Sequence, residues 1–151
     1  PRAAGLVYGT RKRAREAKLI LPEPGSEAAQ ATIATLAAAF GLAAAPDRWR
    51  PLHGGRTNRL WRVATAAGDV VVKLYGGAAT PLFPNVPARE AAALRALSGT
   101  GLAPDLLATA ETAAGAALLY RHVPGRAGGV GAAALVARLG EVHAQRPPDL
   151  P

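Results

Sequence analysis

Three places in this 151-residue chain hold residue types that break their local pattern, and each suggests chemistry. The first is His53-Gly54-Gly55-Arg56-Thr57-Asn58, where adjacent glycines let backbone N–H groups approach an anion and Thr57 and Asn58 add donors. No Gly-Lys-Ser/Thr follows, so this is not a Walker-type phosphate loop, and an ordinary hairpin turn could use the same residues. The second is Lys73, inside Val70-Val71-Val72-Lys73-Leu74-Tyr75. An unpaired ammonium among large apolar side chains is expensive, so Lys73 needs a carboxylate, a bound phosphate or both, unless it snorkels from an edge strand. The third is Glu90, whose i+4 and i+7 neighbours are Leu94 and Leu97, which puts it on the apolar side of its helix. Each charge is most simply explained by the other. An ion pair between a strand and the next helix is a better sign of a functional site than of stability.

The elements that must position these residues can be read from pattern. Strands are expected at 49–52, 60–64 and 70–75, the last two joined by a tight turn at Ala66-Ala67-Gly68-Asp69, so that the three form an antiparallel meander. Residues 76–87 carry Pro81, Pro84 and Pro87 and read as a loop. A helix over 88–98 stops at Gly99, two short strands follow near 106–108 and 116–121, and a last helix spans 132–144. Upstream, Ser26 is an N-cap with Glu27 in the first turn of a helix ending near Gly41, with Ile33, Leu36 and Phe40 on one stripe.

Composition removes much other chemistry. There are no cysteines, which excludes disulfides, thiolate metal sites and cysteine nucleophiles. Ser26 and Ser98 are the only serines and neither lies in a nucleophile elbow, while His53, His122 and His143 are far apart without metal-ligand spacing. Alanine supplies 37 residues and the net charge is +8, five of the 18 basic residues falling between Arg11 and Lys18. Such a charge attracts polyanions, yet no aromatics interleave with this arm to stack on bases. The arm is read as a solvated face rather than a nucleic-acid interface. The 19 uncharged residues from 28 to 46 are mostly alanine with Gln30, Thr32 and Thr35, and suit a buried helix better than a membrane span.

A glycine-bearing strand–turn–strand, a lysine on the third strand and a glutamate on the next helix together match the nucleotide grip of kinase small lobes. The chain here resembles the choline/ethanolamine kinase and aminoglycoside phosphotransferase superfamily. Pro51-Leu52-His53-Gly54-Gly55-Arg56-Thr57-Asn58 is similar to its first loop, Val72-Lys73-Leu74-Tyr75-Gly76 to its third strand, and Arg89-Glu90 with Leu94 and Leu97 to its helix. Gly101-Leu102-Ala103-Pro104 resembles the entry to its fourth strand and Tyr120-Arg121-His122-Val123-Pro124-Gly125-Arg126 its hinge. Leu139-Gly140-Glu141-Val142-His143 looks like the helix that opens its large lobe, so the resemblance runs over roughly 48–146.

The resemblance implies an α+β fold, a kinase-like small lobe with a five-stranded antiparallel sheet and one packed helix; the helical arm before it is read from the residue pattern alone. The chain is thus expected to divide into a basic arm and Ala-rich helix at 1–47, a nucleotide-binding small lobe at 48–123, and the hinge and start of a large lobe at 124–151. The resemblance implies that Gly54 and Gly55 cover the phosphates of ATP, that Lys73 contacts the α and β phosphates, and that Glu90 orients Lys73. Main-chain groups of Arg121 and Val123 would hold the adenine edge. The function implied is transfer of the γ-phosphate to a hydroxyl of choline, ethanolamine, an aminoglycoside, a sugar or thiamine, in the cytoplasm. The family's His-x-Asp catalytic loop, its Asn and its later metal-binding Asp do not occur, since Asp47, Asp69, Asp105 and Asp149 have other contexts. The chain therefore reads as part of a longer kinase, inactive by itself, with Mg ligands expected in the missing large lobe.

One other reading is a dinucleotide-binding fold, because Gly129-Val130-Gly131-Ala132-Ala133-Ala134 fits a Gly-x-Gly-x-x-Ala turn between strand and helix. That reading requires a parallel sheet.

Overall fold

The computed structural model describes residues 26–53, 57–76, 84–125 and 129–145. The basic arm, Gly54, Gly55 and Arg126 lie outside them. Helix α1 (Glu27–Phe40) precedes a 3-10 turn at Pro46–Arg48 and strands β1 (Trp49–Leu52), β2 (Asn58–Val63) and β3 (Val70–Tyr75). Helix α2 (Pro87–Ala96), strands β4 (Leu106–Thr112) and β5 (Gly115–Arg121), and helix α3 (Ala132–Ala144) complete the order. The strands form one sheet, β1-β2-β3-β5-β4, and every pairing is antiparallel. The dinucleotide reading fails on that point, because the strand before Gly129 has no parallel neighbour.

Strand alternation sorts β3 into two faces. Val70, Val72 and Leu74 pack on the back with Trp61, Val63, Ala117 and Leu119, and α1 covers them with Ile33, Leu36 and Ala37. From sequence, one helix is expected on the sheet; two are present, because the Ile33–Leu36 stripe finds the back face. Ser26 accepts from the Ala29 amide at 3.2 Å, and Gly41 closes the helix at φ 64°. The connection to β1 is pinned by Trp49, whose indole N–H donates to the Ala43 carbonyl at 2.8 Å and whose ring meets Trp61 edge to face.

The front face carries Tyr75, Leu118, Ala116 and Tyr120, and α2 covers it with Ala91 and Leu94. Helix α2 opens one residue earlier than expected because Pro87 occupies its first turn, where the missing N–H costs nothing. Helix α3 buries none of its residues, and Leu135, Val136 and Leu139 stand exposed.

Two turns of identical sequence set the hairpin registers. Thr65-Ala66-Ala67-Gly68 leads from β2 to β3 and Thr112-Ala113-Ala114-Gly115 from β4 to β5. In each, the threonine hydroxyl donates to the glycine carbonyl (2.6 and 2.7 Å) and accepts from the amide two residues on (3.2 and 3.1 Å). Both glycines have positive φ, 106° and 124°. They differ in surroundings: a Cβ on Gly68 would meet nothing within 4 Å, whereas one on Gly115 would sit 3.1 Å from the Tyr75 carbonyl oxygen. Gly115→Ala is expected to lower the unfolding free energy by about 2 kcal/mol, against about 1 kcal/mol for Gly68→Ala, read from urea midpoints. Equal shifts would mean that the close approach to Tyr75 costs nothing.

Candidate functional site

Lys73 lies in the middle of β3, between Leu60 of β2 and Leu118 of β5 in the sheet register. All three share the front face, so its ammonium emerges from an apolar row. Its side chain is 15% exposed and Nζ lies 2.5 Å from Glu90 Oε2, the contact expected from sequence. Glu90 sits in the first turn of α2, where the helix dipole favours a carboxylate. Nζ also stands 4.9 Å from the centroid of the Tyr75 ring, within cation–π range.

The Tyr75 hydroxyl donates to the same Glu90 oxygen at 2.6 Å. Burial, and then the bond to Glu90, push its pKa well above the ordinary phenol range. Tyr120, on the same face, is pushed up to about 12 by burial and by the Glu90 charge. The sequence showed Tyr75 on the face of Lys73, but not its hydroxyl as a partner.

Asn58 begins β2 at the mouth of the glycine turn. Its amide forms a reciprocal pair with Asn85: Asn58 Nδ2 donates to Asn85 Oδ1 at 3.0 Å, and Asn85 Nδ2 to Asn58 Oδ1 at 2.8 Å. Asn85 Nδ2 also donates to the Gly76 carbonyl at 3.1 Å, and the Gly76 amide to Asn58 Oδ1 at 3.3 Å. Four bonds thus join the start of β2, the end of β3 and the residues before α2. Asn58, read from sequence as a donor to an anion, here bonds Asn85 and accepts from the Gly76 amide. Asn85 was missed because an asparagine in a proline-rich loop reads as a turn residue. Thr57 is exposed beside this brace.

Two aspartates fix the segment after β5. Asp69 is paired with Arg62, and its carbonyl accepts from the His122 amide at 3.0 Å. The Asp105 carbonyl accepts from the Arg121 amide at 3.0 Å, and its carboxylate lies 3.7 Å from Arg121 Nε. Val123 is exposed just beyond. Lys73, Glu90 and Tyr75 therefore gather on the front face, while Arg121 and Val123 mark the end of β5 and its exit. Among the described residues no three His, Cys, Asp or Glu side chains gather to hold a metal, and no helix is long and apolar enough to cross a membrane.

Two measurements follow from this geometry. Asn85→Ala should cost about 1–2 kcal/mol of stability and speed exchange of the Gly76 amide; an unchanged Gly76 rate would show the brace to be idle. The tyrosines give an alkaline limb with a definite sign. A folded pKa near 12 for Tyr120, against 10.0 when unperturbed, makes its contribution complete below about pH 10 and lost as pH rises through 12. Unfolding free energy should fall over that window, and Tyr120→Phe should flatten the fall.

Residues 48–151 match the phosphotransferase enzyme family. Comparison with curated proteins and with solved structures gives no match.

Proposed function

The chain belongs to the phosphotransferase enzyme family, and on that premise we propose that residues 48–123 form the ATP-binding small lobe of a kinase acting on a small molecule. The observation that carries this is the Lys73–Glu90 contact. A half-buried ammonium held by one carboxylate oxygen still has two N–H bonds for phosphate oxygens, which suits electrostatic work on a transferring phosphoryl group. Gly54, Gly55 and Thr57 would supply donors over the phosphates, with Asn58 supporting that turn from its base. Lys73 would meet the α and β phosphates, and Glu90 would orient it. Leu60 shares the front face with Lys73 and would lie against the adenine ring, whose edge would reach main-chain groups of Arg121 and Val123. With the Arg121 amide already bound to Asp105, its carbonyl is the group it offers.

Magnesium would accompany ATP in this reading. The described residues gather no set of ligands for it, so no metal-bound step is assigned to them. The 151 residues also contain no His-x-Asp loop to position an acceptor hydroxyl. The chain by itself is therefore proposed to bind ATP without transferring phosphate. The exposed apolar residues of α3 fit the opening helix of a large lobe, where the acceptor site would be built. That acceptor is a hydroxyl of choline, ethanolamine, an aminoglycoside, a sugar or thiamine, and an ATP-dependent reaction on such a compound belongs in the cytoplasm.

Titration calorimetry with MgATP, NAD and a DNA oligomer at moderate salt separates the readings. MgATP should bind in preference to the others, and Lys73→Ala should weaken it about tenfold or more, the range of a charge-assisted bond to phosphate. No acceptor should be phosphorylated. Binding of MgATP unaffected by Lys73→Ala, or tighter binding of NAD or DNA, would sink this function.

A further inference from the structure

Glu90 Oε2 receives two donors, and the two differ in stiffness. Lys73 Nζ, at 2.5 Å, stands at the end of a flexible four-carbon stem. The Tyr75 hydroxyl, at 2.6 Å, is carried on a ring with two side-chain torsions. Tyr75 is only 8% exposed and packs with Ala91, Leu94 and Leu118, so its ring touches α2 and the sheet at once. Its backbone is fixed on both flanks: it pairs with Asn58 in β2, and Gly115 of β5 packs closely on its carbonyl. The sheet therefore places the hydroxyl, whereas it places only the root of the lysine. Burial and the bond to Glu90 favour the protonated phenol, the form that donates.

We propose that Tyr75 is a positioning residue: its hydroxyl, rather than the Lys73 ammonium, holds Glu90 and the first turn of α2 against the sheet, and keeps them there when Lys73 turns toward phosphate. Only the last clause rests on the nucleotide reading. In a two-member pair, a lysine drawn to phosphate would leave a half-buried carboxylate without a partner and the helix without its tether. With Tyr75 as third member, the carboxylate stays bonded and the ammonium moves without moving α2.

The test uses the full 151-residue chain and native-state amide exchange, with β5 amides as the internal reference. Tyr75→Phe keeps the ring and removes the donor, so α2 amides should exchange about tenfold faster while β5 is unchanged, the size expected for a hydrogen bond to a charged group. Lys73→Met should change α2 exchange less than about threefold, the limit above which the lysine would count as the tether. Glu90→Gln keeps an acceptor for the hydroxyl but removes the charge that attracts Lys73 and strengthens the Tyr75 bond, so it should loosen α2 by less than Tyr75→Phe does. The proposal is overturned if Tyr75→Phe leaves α2 as protected as before. It is equally overturned if Lys73→Met or Glu90→Gln loosens α2 as much as Tyr75→Phe does. Calorimetry with MgATP supplies the readout that packing alone would not move: Tyr75→Phe should weaken binding severalfold in the otherwise unaltered chain and not at all beside Glu90→Ala; equal weakening in both backgrounds would overturn the role in positioning. If the unaltered chain fails to bind MgATP, the nucleotide reading falls while the exchange results still judge the tether.

Discussion

A single carboxylate oxygen organises the front of this sheet. Glu90 Oε2 accepts from a lysine in the centre of a valine-rich strand and from a tyrosine two residues on, and both donors would be costly to bury without it. For the oxygen to reach them, α2 must lie with its first turn over β3. That placement brings Ala91 and Leu94 down on Leu118 and Tyr75 and forms the front core. The loop before α2 must then end close to β3, where Asn85 joins Asn58 and Gly76. Apolar contact between α2 and the sheet lies beside this polar trio, so the front core and the charged site share one helix.

The parts of this arrangement that were readable in the sequence are those that violate a local rule. Lys73 interrupts five apolar residues and Glu90 stands on the leucine side of its helix, so each asks for a partner. The valines of β3 and the glycine of the first Thr-Ala-Ala-Gly turn mark a hairpin plainly. The second turn has the same four residues but its flanks are alanine-rich, which carries little strand preference, so the pattern predicts β4 only to 108 whereas it runs to Thr112. The brace between Asn58 and Asn85 was invisible because it joins side chains 27 residues apart, each of a type common in turns. The back-face position of α1 escaped for another reason: a stripe of Ile33, Leu36 and Phe40 shows that a helix must bury one side, and says nothing of what it will cover.

The two aspartates near the end of β5 both serve to fix the backbone there. Asp69 and Asp105 are spent on backbone amides of His122 and Arg121 and on neighbouring arginines. They fix where the chain leaves the sheet, which is a prerequisite for any ligand contact there.

The outer rims of the sheet have a consequence of their own. In β1, the Ala64 amide donates to the Arg48 carbonyl, so the alternating positions Trp49 and Pro51 turn their backbone away from β2. Pro51 has no N–H to present to an incoming strand. On the opposite rim, the register slips between Leu106 and Ala108, a bulge that twists β4 out of line. A sheet with open edges is a template for edge-to-edge pairing, and the two rims described here carry a missing donor and a register shift. A residue other than proline at position 51 would give that rim a backbone donor facing away from β2.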